Sequence, residues 1–155
     1  MELTPARLGP GDAALQDVLT LIRTAFADMD GRIDPPSSMH RLSLDSVSAQ
    51  AETGEVWGIG DPVQACVFLT PKSDSLYLGK LAVAPDARRQ GLARHLIALA
   101  RSRAADLRLP CVELQTRIEL VENHATFEAL GFREIGRTAH AGYDRPTSIT
   151  YRLSL

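Results

Sequence analysis

Between residues 77 and 107 the chain reads YLGKLAVAPDARRQGLARHLIALARSRAADL: an apolar strand-like run, a short turn carrying Arg88, Arg89 and Gly91, then apolar positions at helical spacing. This succession most restricts the fold. If the helix that follows such a strand is a crossover, the chain must return to a parallel neighbour. The return is the apolar run CVELQT after Pro110, which belongs beside the strand ending near Val83. Amides in the first turn of the helix have no intrahelical partners, so the turn is a candidate anion cradle.

The flanks extend this frame. Residues 2–8 form a short strand candidate closed by Gly9-Pro10-Gly11, and Asp12 can cap a helix whose buried face is Leu15, Val18, Leu19, Ile22, Ala25 and Phe26. A weaker helix capped by Ser37 or Ser38 reaches to about Ala51, after an irregular loop over 28–36. Three β-rich runs follow, at 56–59, 64–70 and 75–83, separated by turn residues that make them adjacent and antiparallel. Leu92, Leu96, Leu99, Ala100, Ala104 and Leu107 share one face of the central helix, with Arg94, Arg101 and Arg108 opposite. A short helix over 122–130 is closed by Gly131, and strands at 132–140 and 147–153 end the chain. The order β, α, α, β, β, β, α, β, α, β, β predicts a mixed α/β fold with helices on both sheet faces.

At 155 residues the chain is expected to form one domain over 1–155. A net charge of −2 offers no broad basic field for nucleic acid or anionic membrane. No window approaches the ~18 apolar residues of a membrane span, and the first residues lack a secretion signal. Cys66 and Cys111 sit in apolar runs and read as buried free thiols, for which a reducing cytoplasm is the simplest compartment. His40, His95, His124 and His140 have no metal-ligand spacing with Cys or Asp, so no metal is expected.

Three motifs compete for the central turn. A dinucleotide loop needs G-x-G-x-x-G, but Gly91 stands alone with Ala93; an ATP-type loop needs Gly-Lys-Ser/Thr, which is absent. The third is an arginine-rich, solvated helix start. The flanks decide: the run Leu81-Ala82-Val83-Ala84-Pro85-Asp86-Ala87-Arg88-Arg89-Gln90-Gly91-Leu92-Ala93 resembles the signature of the GNAT superfamily of acyl-CoA N-acyltransferases. Arg88, Gly91 and Ala93 match its Arg/Gln-x-x-Gly-x-Gly/Ala core. Downstream, Asn123 to Phe132 (NHATFEALGF) looks like that family's second block, an Asn and Ala on a short helix ending in Leu-Gly-Phe. The likeness covers most of the chain, with residues 28–55 carrying little of it.

The resemblance implies a mostly antiparallel sheet of six to seven strands with one splayed pair, an acetyl-CoA co-substrate and an amine acceptor. The pyrophosphate would lie on the amides of Arg89, Gln90, Gly91, Leu92 and Ala93, with the Arg88 and Arg89 guanidinium groups adding charge-assisted contacts. The pantetheine arm would run along the strand at Leu81, Ala82 and Val83. An amide of Leu81 or Ala82 would face the thioester oxygen, and Asn123 would bond the arm. The acceptor would be a small-molecule or peptide amine. A homodimer is also implied.

One position departs from the family. Many members carry a Tyr that protonates the departing thiolate, and here that position is Phe127, which has no proton to donate. The thiolate can leave unassisted, since its thiol pKa is about 8.5, or another group acts as acid, for which Tyr143 is the candidate. A third alternative is a domain that binds acyl-CoA without turning it over. Glu113 is the candidate base, its alternative being an ion pair with an arginine. His124 is a further candidate. Arg117 and Glu119 either fix substrate charge or pair with each other.

Overall fold

The computed structural model describes residues 4–27, 29–36 and 41–155. Seven strands, β1 (Ala6–Leu8), β2 (Glu55–Ile59), β3 (Ala65–Pro71), β4 (Leu76–Val83), β5 (Cys111–Arg117), β6 (Arg133–Thr138) and β7 (Ser148–Ser154), form one sheet in the order β1-β2-β3-β4-β5-β7-β6. The helices among the described residues are α1 (Ala14–Ala27), α2 (Leu44–Thr53), α3 (Leu92–Asp106) and α4 (Val121–Ala129). Glu2 and Leu3 of the expected first strand, the expected caps Ser37 and Ser38, and His40 lie outside the described residues.

Only the β4–β5 pair is parallel, as the α3 crossover requires; the other neighbours are antiparallel. Two apolar layers result. Leu92, Leu96, Ile97, Ala100 and Ala104 of α3 pack on Leu76, Leu78, Val112 and Leu114. On the other face Leu15, Val18, Leu19 and Ile22 of α1 and Val47 and Ala51 of α2 cover Val56, Cys66, Phe68 and Ala82.

Ile97 takes a core place on α3, while Leu107, expected on the buried face, is 38% exposed. The reason is local: the helix ends at Asp106 and Arg108 turns to φ 59°, which swings Leu107 away from the apolar stripe. For α2 the observed cap is Ser43, whose Oγ accepts the Ser46 amide (3.2 Å) while Ser46 Oγ accepts the Ser43 amide (2.8 Å). At the end of α4, the Phe132 amide donates to the Phe127 carbonyl (3.0 Å) and the Gly131 amide to that of Glu128 (3.1 Å). These two bonds make a Schellman end, and Gly131 sits at φ 101° as that motif demands.

Two irregularities shape the centre of the sheet. Strands β4 and β5 pair only at Leu76↔Val112 and Tyr77↔Glu113, yet both continue, to Val83 and to Arg117. The middle of the sheet is therefore a fork, the expected splayed pair. Opposite β3, Phe68 pairs with Gly79 and Cys66 with Ala82, so two steps on β3 face three on β4. The extra residue is a β-bulge at Lys80, whose φ is 48°. Leu76 and Leu78 face the α3 layer before the bulge and Leu81 and Val83 do so after it, which sends Ala82 to the α1 side.

Candidate active site

The turn joining β4 to α3 begins with a single 3-10 turn, Pro85–Ala87. Arg88, Arg89, Gln90 and Gly91 are exposed, Ala93 is half-buried, and Leu92 is buried as the first core residue of the helix. Gly91 is the N-cap of the 15-residue helix at φ 76°, with no side-chain cap, and its carbonyl accepts the His95 amide (3.0 Å). A Cβ added at Gly91 would meet nothing within 4 Å. Glycine is thus demanded here by the left-handed backbone, while the space before the first-turn amides stays open to an anion.

A cleft of about 570 Å³ passes through the fork. Leu81, Asn123 and Phe127 line it, as do Tyr77 and Lys80 of β4. Ala82 is buried at 3% and points away into the α1 layer, and the residues from Arg88 to Ala93 lie outside the lining. Asn123 Nδ2 donates to Thr116 Oγ1 at 3.5 Å, which turns its amide toward the open end of β5. Phe127 meets Phe132 edge-on at 5.8 Å between ring centroids and also touches Tyr151. It holds α4 to the sheet and forms one wall of the cleft.

The sequence-derived acid and base candidates lie off the cleft. Glu113 stands at the closed end of the fork opposite Tyr77, with Oε1 accepting from Arg152 Nε at 2.8 Å, so its carboxylate is ion-paired. The Tyr143 hydroxyl donates to Asp34 Oδ1 at 2.5 Å, and Arg145 reaches the other oxygen at 3.4 Å. That bond to Asp34 raises the Tyr143 pKa above the usual phenol value. His124 Nε2 sits 3.0 Å from the Arg117 carbonyl, pinning α4 to the end of β5.

Arg117 and Glu119 are bonded to the same segment rather than to each other. Arg117 donates to the carbonyls of Pro35 (2.8 Å) and Pro36 (3.2 Å), and Glu119 accepts the Asp34 amide (3.1 Å). Together they brace residues 34–36 over the cleft, which Pro35, Pro36 and Arg117 line.

Sequence reasoning missed several lining groups: His140, Tyr77, Lys80 and Arg41. Burial, then the charge of Arg117, lowers the His140 pKa below that of a free imidazole. The His140 amide donates to Thr147 Oγ1 (2.9 Å), and Nδ1 makes a short hydrogen bond to the same oxygen. The Thr147 hydroxyl also donates to the Thr138 carbonyl (3.4 Å), so Nδ1 is engaged and Nε2 is the ring nitrogen turned away from Thr147. A glycine and a lysine interrupting a strand, Gly79-Lys80, were the available signal for the bulge. For His140, at the mouth of a loop, no local pattern existed.

Both cysteines are buried and free. Cys66 lies behind the bulge with Sγ donating to the Lys80 carbonyl (3.7 Å), and burial pushes its thiol pKa up to about 12. Such a group is neither exposed nor ionised, as a covalent nucleophile must be. A Cys66→Ala variant is expected to keep its acyl-donor chemistry within threefold of the parent; loss of turnover with a folded variant would reopen a covalent route.

Comparison with known proteins agrees with this geometry. The family profile for the acetyltransferase (GNAT) domain matches residues 51–134. The chain belongs to the GNAT family of acetyltransferases. Among solved structures, the ribosomal-protein-S18-alanine N-acetyltransferase of Escherichia coli superposes with a TM-score of 0.71 at 22% identity, over 97% of this chain and 92% of that one. An aminoglycoside 6'-acetyltransferase type Ii gives 0.78 at 14% identity, over 97% and 96%. A GNAT family acetyltransferase from Elizabethkingia anophelis with acetyl-CoA bound gives 0.69 at 16% identity, over 98% and 97%. At these identities the likeness is one of fold. No curated protein sequence matches. Among the described residues no helix is long and apolar enough to cross a membrane.

Proposed function

We propose that this acetyltransferase moves an acetyl group from acetyl-CoA to a primary amine by direct attack of the neutral amine on the thioester. The observation that carries this reading is the fork: two strands that stop pairing at Tyr77↔Glu113 enclose a cleft, and one of them, β4, leads on into the capless start of α3. The amides of Arg89 to Ala93, aided by Arg88 and Arg89, hold the pyrophosphate. The edge of β4 from Leu81 to Val83, with Asn123 across the gap, holds the pantetheine arm.

The oxyanion donor follows from register. The Ala84 amide donates to the Gln64 carbonyl (2.8 Å) across the β3 side. Alternation turns the Ala82 amide the same way, so Leu81 is the residue whose amide faces the fork and the developing oxyanion. Nε2 of His140 takes the amine proton as the N–C bond forms. The C–S bond then breaks and coenzyme A leaves as thiolate, which draws a proton from water, since Phe127 cannot supply one.

His140 is neutral at pH 7 because its pKa lies below the ordinary 6.5, so the base is ready without a pH shift. Its replacement by Gln is expected to lower kcat about 100-fold. The acid limb of the rate profile, where the parent loses activity as the ring is protonated below pH 6.5, should vanish with it. A variant that stays within threefold of the parent removes His140 from the mechanism.

The overall reading is tested by mixing the protein with acetyl-CoA and a panel of primary amines and following free thiol. A second reading, a non-catalytic acyl-CoA binding module, is favoured by Phe127 alone. Tight acetyl-CoA binding with no thiol release on any amine would establish it over the first.

A further inference from the structure

One stretch of the cleft wall is tied to the rest of the protein from outside the cleft. Ile33, Pro35 and Pro36, in the segment between α1 and α2, line the cleft. Ile33 is 7% exposed although it belongs to neither apolar layer of the sheet, and Leu120 lines the cleft with it. Asp34 stands between these lining residues in the chain, is not part of the lining, and has a side chain 62% exposed.

Asp34 is the point at which other segments hold this strap. Its carboxylate accepts the Tyr143 hydroxyl (2.5 Å) and an Arg145 N–H (3.4 Å), both from the turn between β6 and β7, and its amide donates to Glu119 (3.1 Å), between β5 and α4. On either side of it, Arg32 makes a two-pronged pair with Glu122 (2.6 and 2.9 Å), and Arg117 donates to the carbonyls of Pro35 and Pro36. The ion pairs of Arg32 and Arg145 are half-exposed, and such pairs contribute little one by one. The strap is therefore held by a sum of weak bonds, of which the largest group converges on one residue.

The place of the strap says what it faces. Phe127 of α4 packs with the α3 layer and Phe26 of α1 with the opposite one, so the cleft passes from one face of the sheet to the other. The pantetheine arm is assigned to the side of Asn123 and Phe127. The strap leaves from α1 and walls the end that opens on the α1 face, where the acceptor enters.

Resting on the acetyl-transfer reading above, we propose that Asp34 is a positioning residue that sets the size of the acceptor: by binding Tyr143, Arg145 and Glu119 it keeps Ile33, Pro35 and Pro36 closed over the cleft, so that a slim primary amine fits and a broad one does not. The volume of about 570 Å³ must also admit the acetylated end of the donor, which leaves the acceptor the room of a single ring or a short chain.

The test uses benzylamine and 1-naphthylmethylamine, which share the aminomethyl group, the charge and the aromatic character and differ by one fused ring. In thiol-release assays the parent should favour benzylamine at least tenfold in kcat/KM. Asp34→Ala should cut that preference at least fivefold, through a lower KM for the naphthyl amine; a strap that is merely damaged would weaken both amines alike. Tyr143→Phe should act in the same direction, and the double variant should go no further than Asp34→Ala, because the hydroxyl acts through that carboxylate. Asp34→Asn, which keeps an oxygen for the Tyr143 hydroxyl, should retain most of the preference. Unchanged acetyl-CoA affinity shows that each variant is folded.

Two measurements without turnover separate this inference from the reading beneath it. Exchange of the Asp34 amide should be at least threefold faster in Tyr143→Phe, which leaves residue 34 itself unaltered, than in the parent. Calorimetry on the coenzyme A-loaded protein should show the same loss of size preference in Kd for Asp34→Ala. Both results with no thiol release on either amine sink acetyl transfer and keep the strap. Unchanged exchange, a size preference that Asp34→Ala leaves intact, or binding of neither amine overturns the inference whatever the turnover.

Discussion

Gly91→Val is expected to bind acetyl-CoA at least 100-fold more weakly than the parent, measured by calorimetry. Two effects add. Valine at φ 76° strains a backbone that an L side chain rarely adopts, by about 1–3 kcal/mol. Its side chain also fills the empty space before the first-turn amides, where at least two charge-assisted hydrogen bonds of about 1.5–3 kcal/mol each would be lost. Gly11→Val separates the two: Gly11 has the same φ of 76° and open surroundings, but precedes α1 rather than α3. It should suffer the strain alone, losing a few degrees of Tm for each kcal/mol while binding acetyl-CoA as the parent does. Equal affinity in Gly91→Val and the parent would remove the turn from donor binding.

The second large effect concerns stability. Glu55 is 4% exposed at the start of β2, and Arg103 of α3 meets it with two bonds, Nε to Oε1 (2.9 Å) and the second terminal nitrogen to Oε2 (2.8 Å), while Trp57 Nε1 adds a third (2.8 Å). Arg103→Ala leaves that carboxylate buried without its cation, a loss of about 3 kcal/mol. For a chain of this size that lowers Tm by roughly 6–12 °C. Replacing Glu55 and Arg103 together by Met should recover most of it, because no buried charge is then stranded.

The pH dependence fixes the sign. Burial pushes the Glu55 pKa up, but the bonds from Arg103 and Trp57 outweigh it, so the net shift is downward. The contribution is complete above the unfolded value of about 4.3 and is lost as pH falls through the lower folded one. In Arg103→Ala the carboxylate welcomes a proton. The gap in Tm between parent and variant should therefore close below pH 4, and a constant gap from pH 7 to 3 would refute the account.

The parts of the fold legible in the sequence were those where one local rule spoke alone. The α1 stripe from Leu15 to Phe26, the Gly131 helix end and the β4-turn-α3 succession each follow from spacing or from a backbone only glycine tolerates. Helix α2 was harder to bound, since only Val47 and Ala51 are buried and its true cap, Ser43, was one serine among several. Pairing across 48 residues, as between Glu55 and Arg103, leaves no mark in either neighbourhood.

The site divides in the same way. The segment proposed to hold the donor, Leu81 to Ala93, is continuous in the chain, so a local motif can mark it. The cleft lining gathers Phe26, Arg41, Lys80, Arg117 and His140 from five separate stretches, and only Arg117 among them was singled out from the sequence. Glu113 drew attention as a charge inside an apolar strand, and its partner Arg152 lies on the next strand of the sheet, out of reach of sequence proximity.

The fork has a mechanical side as well. Where β4 and β5 separate, the sheet is ruptured along its middle, and the two halves are joined there by two ladder positions and by α3, which packs on both strands. A guest lying in that seam works as a rivet. It should slow amide hydrogen exchange on both lips, at Leu81 and Val83 and at Gln115, and make the halves melt as one body.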